Sequence, residues 1–170
     1  HLQRLEIVGG EPFYITQWQD IWQELIDLGL SKRIDVDMST NCTIYGGDIL
    51  RKIIPHFHRI GIGLSIDGLG KTYEYLRHPG NWTEVESIIL KYKDLSEEFT
   101  ENFGFSYTHT ISWINAFYVP EFHTWTRTNT PNFKIWNNLV HYPRHMSLVM
   151  LPKSAKEKIE KKFADYNWGQ

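Results

Sequence analysis

One cysteine, Cys42, is all the thiol that these 170 residues carry. That excludes an internal disulfide framework and fits a reducing compartment. No apolar stretch approaches membrane-spanning length and no charged leader precedes an apolar run, so no membrane partner is expected. Neither sign of charge dominates: eighteen basic against twenty acidic residues leave −2, which argues against a general nucleic-acid binder. Repeats, low-complexity tracts and long linkers are missing too. A cytoplasmic location is the expectation. What is present is 41% hydrophobic composition with seven Trp, nine Tyr and nine Phe, enough for a domain with a real core. The chain lacks an initiator Met and starts almost at once in a strand, so an excised piece of a longer protein is expected.

The pattern alternates short apolar runs with helical periodicity, which is the mark of α/β architecture. A first strand is expected from Leu2 to Val8, ending in Gly9-Gly10-Glu11-Pro12. Glycines let the backbone turn sharply or let a ligand approach, and Pro12 pushes Glu11 toward an extended conformation. An ordinary strand-to-helix turn has the same appearance. Thr16 and Gln19 resemble a capping box, followed by Trp18, Ile21, Trp22, Leu25 and Ile26 on one helical face and Gly29 as the stop. Further strands are expected over Ile34 to Met38, Ile60 to Ile66, Phe103 to Ser112 and Phe133 to Val140. Between them lie helices from about Asp48 to Pro55, Thr72 to Leu76, Asn81 to Leu95 and Tyr118 to Thr126. A last helix starts at Pro152, with Ala155, Ile159, Lys162 and Phe163 as a weak apolar face. On this pattern alone a partial barrel and a doubly wound sheet are equally consistent.

Polar residues fall at the ends of successive strands. Glu11, the pair Thr40 and Asn41, and Ser65 with Asp67 each follow an expected strand directly. In parallel α/β folds the carboxyl ends of the strands form the ligand-binding face. Any one of these residues also suits a turn or a helix cap. Three strands in a row point to a shared site.

Four stretches carry a resemblance: Gly9-Gly10-Glu11-Pro12, Thr40-Asn41, Leu64-Ser65-Ile66-Asp67-Gly68 and Glu74-Tyr75-Leu76-Arg77. Together and in this order they resemble the radical S-adenosylmethionine (radical SAM) enzymes, in the branch with SPASM or twitch extensions that modifies peptides and proteins. The resemblance implies a parallel-sheet partial (β/α)6 barrel of the TIM type, incomplete at its N-terminus. It implies that Gly9, Gly10, Glu11 and Pro12 hold the amino group of S-adenosylmethionine, with Thr40 and Asn41 nearby. Ser65 and Arg77, twelve residues later, would bind its ribose and carboxylate. Asp67 stands with this group and also suits the turn before Gly68. Arg77 is a sensible carboxylate partner because its guanidinium can bond both oxygens; a surface pair with Glu74 is the alternative. The implied chemistry is one-electron reduction of S-adenosylmethionine at a four-iron, four-sulfur (4Fe-4S) cluster, yielding a 5′-deoxyadenosyl radical that abstracts a substrate hydrogen. The implied partners are a peptide or small-molecule substrate and an electron donor such as flavodoxin or ferredoxin.

One departure is large. The family binds its cluster through three cysteines in a C-x3-C-x2-C loop after the first barrel strand, and Cys42 is alone and on another strand. The chain is therefore expected to be an internal fragment, residues 1–143 being partial core and 144–170 a helical segment leading toward an absent extension. Such a fragment is expected to be inactive by itself and to fold poorly. Two rivals remain: a cluster-independent barrel isomerase or aldolase with Glu11 and Asp67 as acid and base, and a non-catalytic peptide-binding module anchored by aromatic residues. Trp113, Phe117, Tyr118 and Trp125 sit at spacings that favour core packing over peptide contact. His56 and His58 are two apart, a poor copy of i,i+4 zinc geometry, so no metal site is expected among the histidines. Lys156, Lys158, Lys161 and Lys162 read as a solvated helix face.

Overall fold

Five strands alternate with six α-helices over the described residues, 2–15 and 17–168, of a computed structural model. In chain order they are β1 (Arg4–Ile7), α1 (Gln17–Asp27), β2 (Asp35–Thr40), α2 (Gly47–Ile53), β3 (Arg59–Ser65), α3 (Gly70–Leu76), α4 (Trp82–Glu98), β4 (Phe103–Ile111), α5 (Val119–Asn129), β5 (Lys134–Leu139) and α6 (Lys153–Asp165). The expected strands are all present, their ends shifted by no more than two residues. The capping box expected at Thr16 lies outside the described residues. The strands form one sheet in the order β1-β2-β3-β4-β5. β1, β2 and β3 pair in parallel. Like ends also meet farther on, where Ile60 N–H donates to the Asn102 carbonyl and Val140 N–H to the Ile111 carbonyl. The architecture is α/β with a parallel sheet.

The chain divides into two compact units, residues 1–65 with 83–107, and residues 66–82 with 108–170. In the first unit the strand register places Ile7 beside Met38, Val36 beside Ile60 and Met38 beside Ile62. These residues and Leu64 are buried on one face of the sheet, as are Leu50, Ile89, Tyr92 and Leu95 from the helices. Each fully buried aliphatic side chain of this kind contributes roughly 1.5–3 kcal/mol. Helix α1 ends where glycine allows it. Gly29 has φ +66°, its N–H donates to Ile26, and Leu30 N–H reaches back to Leu25 in a Schellman closure. Of the expected apolar face of α1 only Trp22 is fully buried, and Ile21 is exposed.

The other face of the same strands is polar. Arg59 reaches across Gly61 to Asp37, with Nη2 at 2.8 and 2.9 Å from the two carboxylate oxygens. A Cβ on Gly61 would lie 2.5 Å from the Asp37 oxygen and 2.7 Å from the guanidinium, so the glycine is what lets the pair close. Arg4 joins Asp37 at 2.9 Å, and His58 bonds Asp35 at 2.8 Å.

In the second unit Ile111, Ala116 and Val119 form a small buried cluster. Leu148 and, from α6, Ile159 and Phe163 pack against it, so the weak apolar face of that helix does seat on protein. Lys162 departs from the solvated face expected for it. Its ammonium donates to the Phe117 carbonyl at 2.7 Å and to Glu121 at 2.5 Å, and sits 3.9 Å above the Phe117 ring. A four-carbon stem lying along apolar surface explains this placement. No helix among the described residues is long and apolar enough to cross a membrane.

Candidate functional site

Glu11 closes the loop that leaves β1. Gly9 and Gly10 both have positive φ, +87° and +64°, a region glycine enters without steric cost. The turn they make delivers the Glu11 carboxylate to the end of β2. There Oε1 accepts from the Thr40 hydroxyl at 2.8 Å and Oε2 from the Asn41 N–H at 2.9 Å. Oε1 also takes the N–H of Phe13, two residues on, at 3.4 Å. Pro12 and Phe13 are buried. Cys42 follows with φ +61° and no exposed surface, a conformation uncommon for any side chain bearing a Cβ. It turns the Cys42 N–H onto the Thr40 hydroxyl, 3.0 Å away. Asn41 spends its own side-chain oxygen on Thr43, taking both N–H and hydroxyl at 2.9 and 2.6 Å. Gly9, Gly10, Glu11, Pro12, Thr40 and Asn41 thus belong to one hydrogen-bonded corner. Ser65, at the end of β3, is half-buried, and its hydroxyl makes no hydrogen bond among the described residues.

In the second unit Asp67 and Arg77 meet. The Arg77 Nε and Nη2 lie 2.8 and 2.6 Å from Oδ2 of Asp67. The alternative pairing of Arg77 with Glu74 does not occur; Glu74 instead accepts the N–H of Trp82 at 3.2 Å, at the start of α4. Asp67 Oδ1 accepts from the Thr110 N–H at 2.8 Å, and its main-chain carbonyl accepts from the Asn115 amide at 2.7 Å. The Asp67 side chain is 13% exposed and that of Arg77 31%, so the guanidinium reaches solvent while its anchor is largely enclosed. Asn115 was legible only as a loop residue. The signal was Ser112-x-x-Asn115 directly after an apolar strand, a spacing at which a side-chain amide bonds nearby backbone.

Both strand-end acids accept hydrogen bonds from the chain itself. The expectation for Trp113, Phe117 and Tyr118 is corrected: they are 43%, 40% and 47% exposed, Phe117 and Tyr118 standing in a 3-10 turn just before α5. Trp125 is half-buried and packs edge-on against Trp82. His109, on β4, is 1% exposed, lies 4.2 Å from the Phe122 ring, and has no hydrogen-bond partner for Nδ1 among the described residues. Burial pushes its pKa down to about 4, against an opposing pull from Asp67. Two surface concavities of about 420 and 520 Å³ lie along α5 and α6 and are lined by none of the expected site residues.

Among the described residues no group of three or more His, Cys, Asp and Glu is placed to hold a metal ion. A four-iron cluster requires several convergent thiolates. Cys42, buried and single, does not fit that requirement.

No protein-family model matches the chain, and no curated protein matches it. Solved structures do. Native anSMEcpe with bound AdoMet (S-adenosylmethionine) and Cp18Cys peptide superposes with a TM-score of 0.61 at 17% identity, over 95% of this chain and 45% of that one. Hexahistidine-tagged anSMEcpe with bound AdoMet gives 0.63 at 16% identity, over 95% and 43%. The complex with the Kp18Cys peptide gives 0.61 at 17%. The chain has the fold of these proteins and spans less than half their length.

Proposed function

We propose that this chain is part of the core of a radical SAM enzyme and that its strand-end residues bind S-adenosylmethionine. The observation that carries the reading is the corner of Gly9, Gly10, Glu11, Thr40 and Asn41, built where the sequence motifs require it, on a fold shared with AdoMet-bound structures. In this reading the backbone of Gly9 and Gly10 receives the cofactor's amino group. Glu11 keeps that backbone in place by holding Thr40 and Asn41 and transfers no proton. Pro12, buried behind it, stiffens the turn. Ser65 offers its hydroxyl to the ribose. Arg77, held on one edge by Asp67, offers the rest of its guanidinium to the methionyl carboxylate. When bound, S-adenosylmethionine supplies a carbon radical for hydrogen abstraction; the cofactor carries that chemistry and the protein orients it.

The cluster that such chemistry needs is not held by these residues. Its thiolates, and the contact for an electron donor such as flavodoxin or ferredoxin, belong in this proposal to sequence beyond the 170 residues. The segment 144–170 would lead toward a SPASM or twitch extension. The substrate is read as a peptide rather than a small molecule, on the strength of the peptide-bound anSMEcpe complexes of the same fold and the exposed trio Trp113, Phe117 and Tyr118.

The test is calorimetric titration of S-adenosylmethionine into the whole protein and its Arg77→Ala variant. Loss of a charge-assisted, partly buried contact should weaken binding about ten- to a hundred-fold. Arg77→Lys should recover only part, because an ammonium cannot reproduce the planar fork. Absence of binding in the wild type would overturn the cofactor reading, and equal affinity in Arg77→Ala would remove Arg77 from the site.

A further inference from the structure

Arg77 is the residue of the second unit that the proposed cofactor reading uses, yet it is the last member of a chain of hydrogen bonds. It caps α3 with φ −116° and ψ +31°, and a side chain of this length is costly to hold in one rotamer. Asp67 holds it, by two contacts from Nε and Nη2 to a single oxygen. Among the described residues Nη1 has no partner, so the pair leaves one edge of the guanidinium to face a ligand.

Asp67 is in turn fixed from its other side. Thr110 N–H occupies Oδ1 at 2.8 Å, and the Asn115 amide draws in the Asp67 carbonyl at 2.7 Å. Asn115 is 1% exposed and spends its whole hydrogen-bonding capacity here. Its Nδ2 donates to the Asp67 and Thr110 carbonyls at 2.7 and 2.8 Å. Its Oδ1 accepts from the Ser112 N–H at 2.7 Å and the Ser112 hydroxyl at 3.3 Å. Two carbonyls on one side and an N–H on the other allow one orientation of the amide. The turn that carries Asp67 is thereby tied to the end of β4.

We infer that Asn115 and Asp67 are positioning residues that orient the Arg77 guanidinium toward the carboxylate of the ligand. The inference rests on the reading of Arg77 as the carboxylate ligand. Its physical content is preorganisation: a cation already fixed in direction loses less freedom when the carboxylate arrives. A network whose members are all satisfied is the kind that can impose such a fixed geometry. Two consequences separate this from a merely structural role. The effect of either residue on affinity must pass through Arg77. It must also depend on the ligand having a carboxylate.

The experiment is a double-mutant cycle on the whole protein, read by calorimetric binding of S-adenosylmethionine and of its decarboxylated analogue. Asn115→Ala should weaken S-adenosylmethionine about tenfold. The same substitution in an Arg77→Ala background should cost almost nothing further. The decarboxylated analogue should bind wild type and Asn115→Ala alike. Asp67→Asn is the second variant; it keeps the shape and the acceptor for Thr110, so it decides the matter if Asn115→Ala does not fold. Equal losses for both ligands, additive losses with Arg77→Ala, or an unchanged Asp67→Asn would each overturn the inference while leaving the cofactor reading intact. A wild type that binds S-adenosylmethionine with an inert Arg77 overturns the assignment of Arg77 and this inference with it, and a wild type that binds neither ligand overturns both readings.

Discussion

Glu11 and Asp67 are both acids placed just after a strand, and the chain uses them differently. Glu11 accepts only from neutral donors, the Thr40 hydroxyl and the N–H groups of Asn41 and Phe13. Asp67 accepts one N–H, from Thr110, and otherwise holds a guanidinium. The first carboxylate therefore shapes a backbone corner. The second presents a cation. A carboxylate at a strand end is not by itself evidence of proton transfer; its donors decide what it is for.

Among the described residues each unit buries polar atoms without a hydrogen-bond partner, Nε1 of Trp18 and of Trp22 in the first and Nδ1 of His109 in the second. An indole N–H does not titrate and an imidazole does, so acid should act on the second unit. The enclosed His109 has its pKa pushed down from 6.5 to about 4, chiefly by burial; His123 pushes the same way, while Asp67 and Asn137 pull against it. Because the folded-state pKa lies below the unfolded one, the unfolded chain binds the extra proton between these values. Stability is thus fully present above pH 6.5 and is lost as pH falls toward 4, by about 3 kcal/mol in all. Urea unfolding of the wild type and His109→Phe at pH 7 and pH 4.5 measures it. The variant should show a much flatter dependence; parallel curves would place the acid sensitivity elsewhere.

Glu11 provides the next largest effect. If its carboxylate only braces the corner, Glu11→Ala should cost about 2 kcal/mol of stability, the order expected for losing hydrogen bonds to a charged acceptor. Glu11→Gln keeps one carbonyl oxygen for Thr40 but turns an amide donor toward the Asn41 N–H, so it should recover less than half. Thermal melts of the three proteins decide it. A Glu11→Gln protein as stable as wild type, with cofactor affinity lost, would make the charge itself a ligand and erase the distinction from Asp67.

Much of this was readable beforehand because the physics was local. Period-two burial of Phe103, Phe105, Tyr107 and His109 fixed β4, and Gly29 announced the end of α1. The strand-end acids were visible as residues following apolar runs. Their partners were not: that Glu11 would face Thr40, twenty-nine residues away, and Arg77 would choose Asp67 over the nearer Glu74, depends on strand register and the path of a turn. The exposure of Trp113, Phe117 and Tyr118 escaped for a related reason. Helical spacing describes a face, and only tertiary packing says whether anything covers it.

The smallest expected effect concerns a third set of acids, at the opposite ends of the strands from Glu11. Asp35 and Asp37 are held by Arg4, Arg59 and His58 on the polar face of β1, β2 and β3. His58 and then Arg59 hold the Asp35 carboxyl below its ordinary range despite its exposure. Arg59 touches both oxygens of Asp37, whereas Arg77 uses only one oxygen of Asp67. Geometry is not the deciding quantity here. The Arg59 and Arg4 side chains are 46% and 64% exposed, so water screens the charges and competes for the donors. Exposed ion pairs of this kind contribute roughly 0.2–1 kcal/mol, less at high salt. Arg59→Ala should therefore lower stability by less than about 1 kcal/mol, and the difference from wild type should shrink further in molar salt. Urea titrations of both proteins at low and high ionic strength provide the measurement. A salt-insensitive loss of about 2 kcal/mol or more would mean that Arg59 acts through packing over Gly61 instead of through its charge, and that this polar face is a structural layer of the sheet rather than a wetted surface.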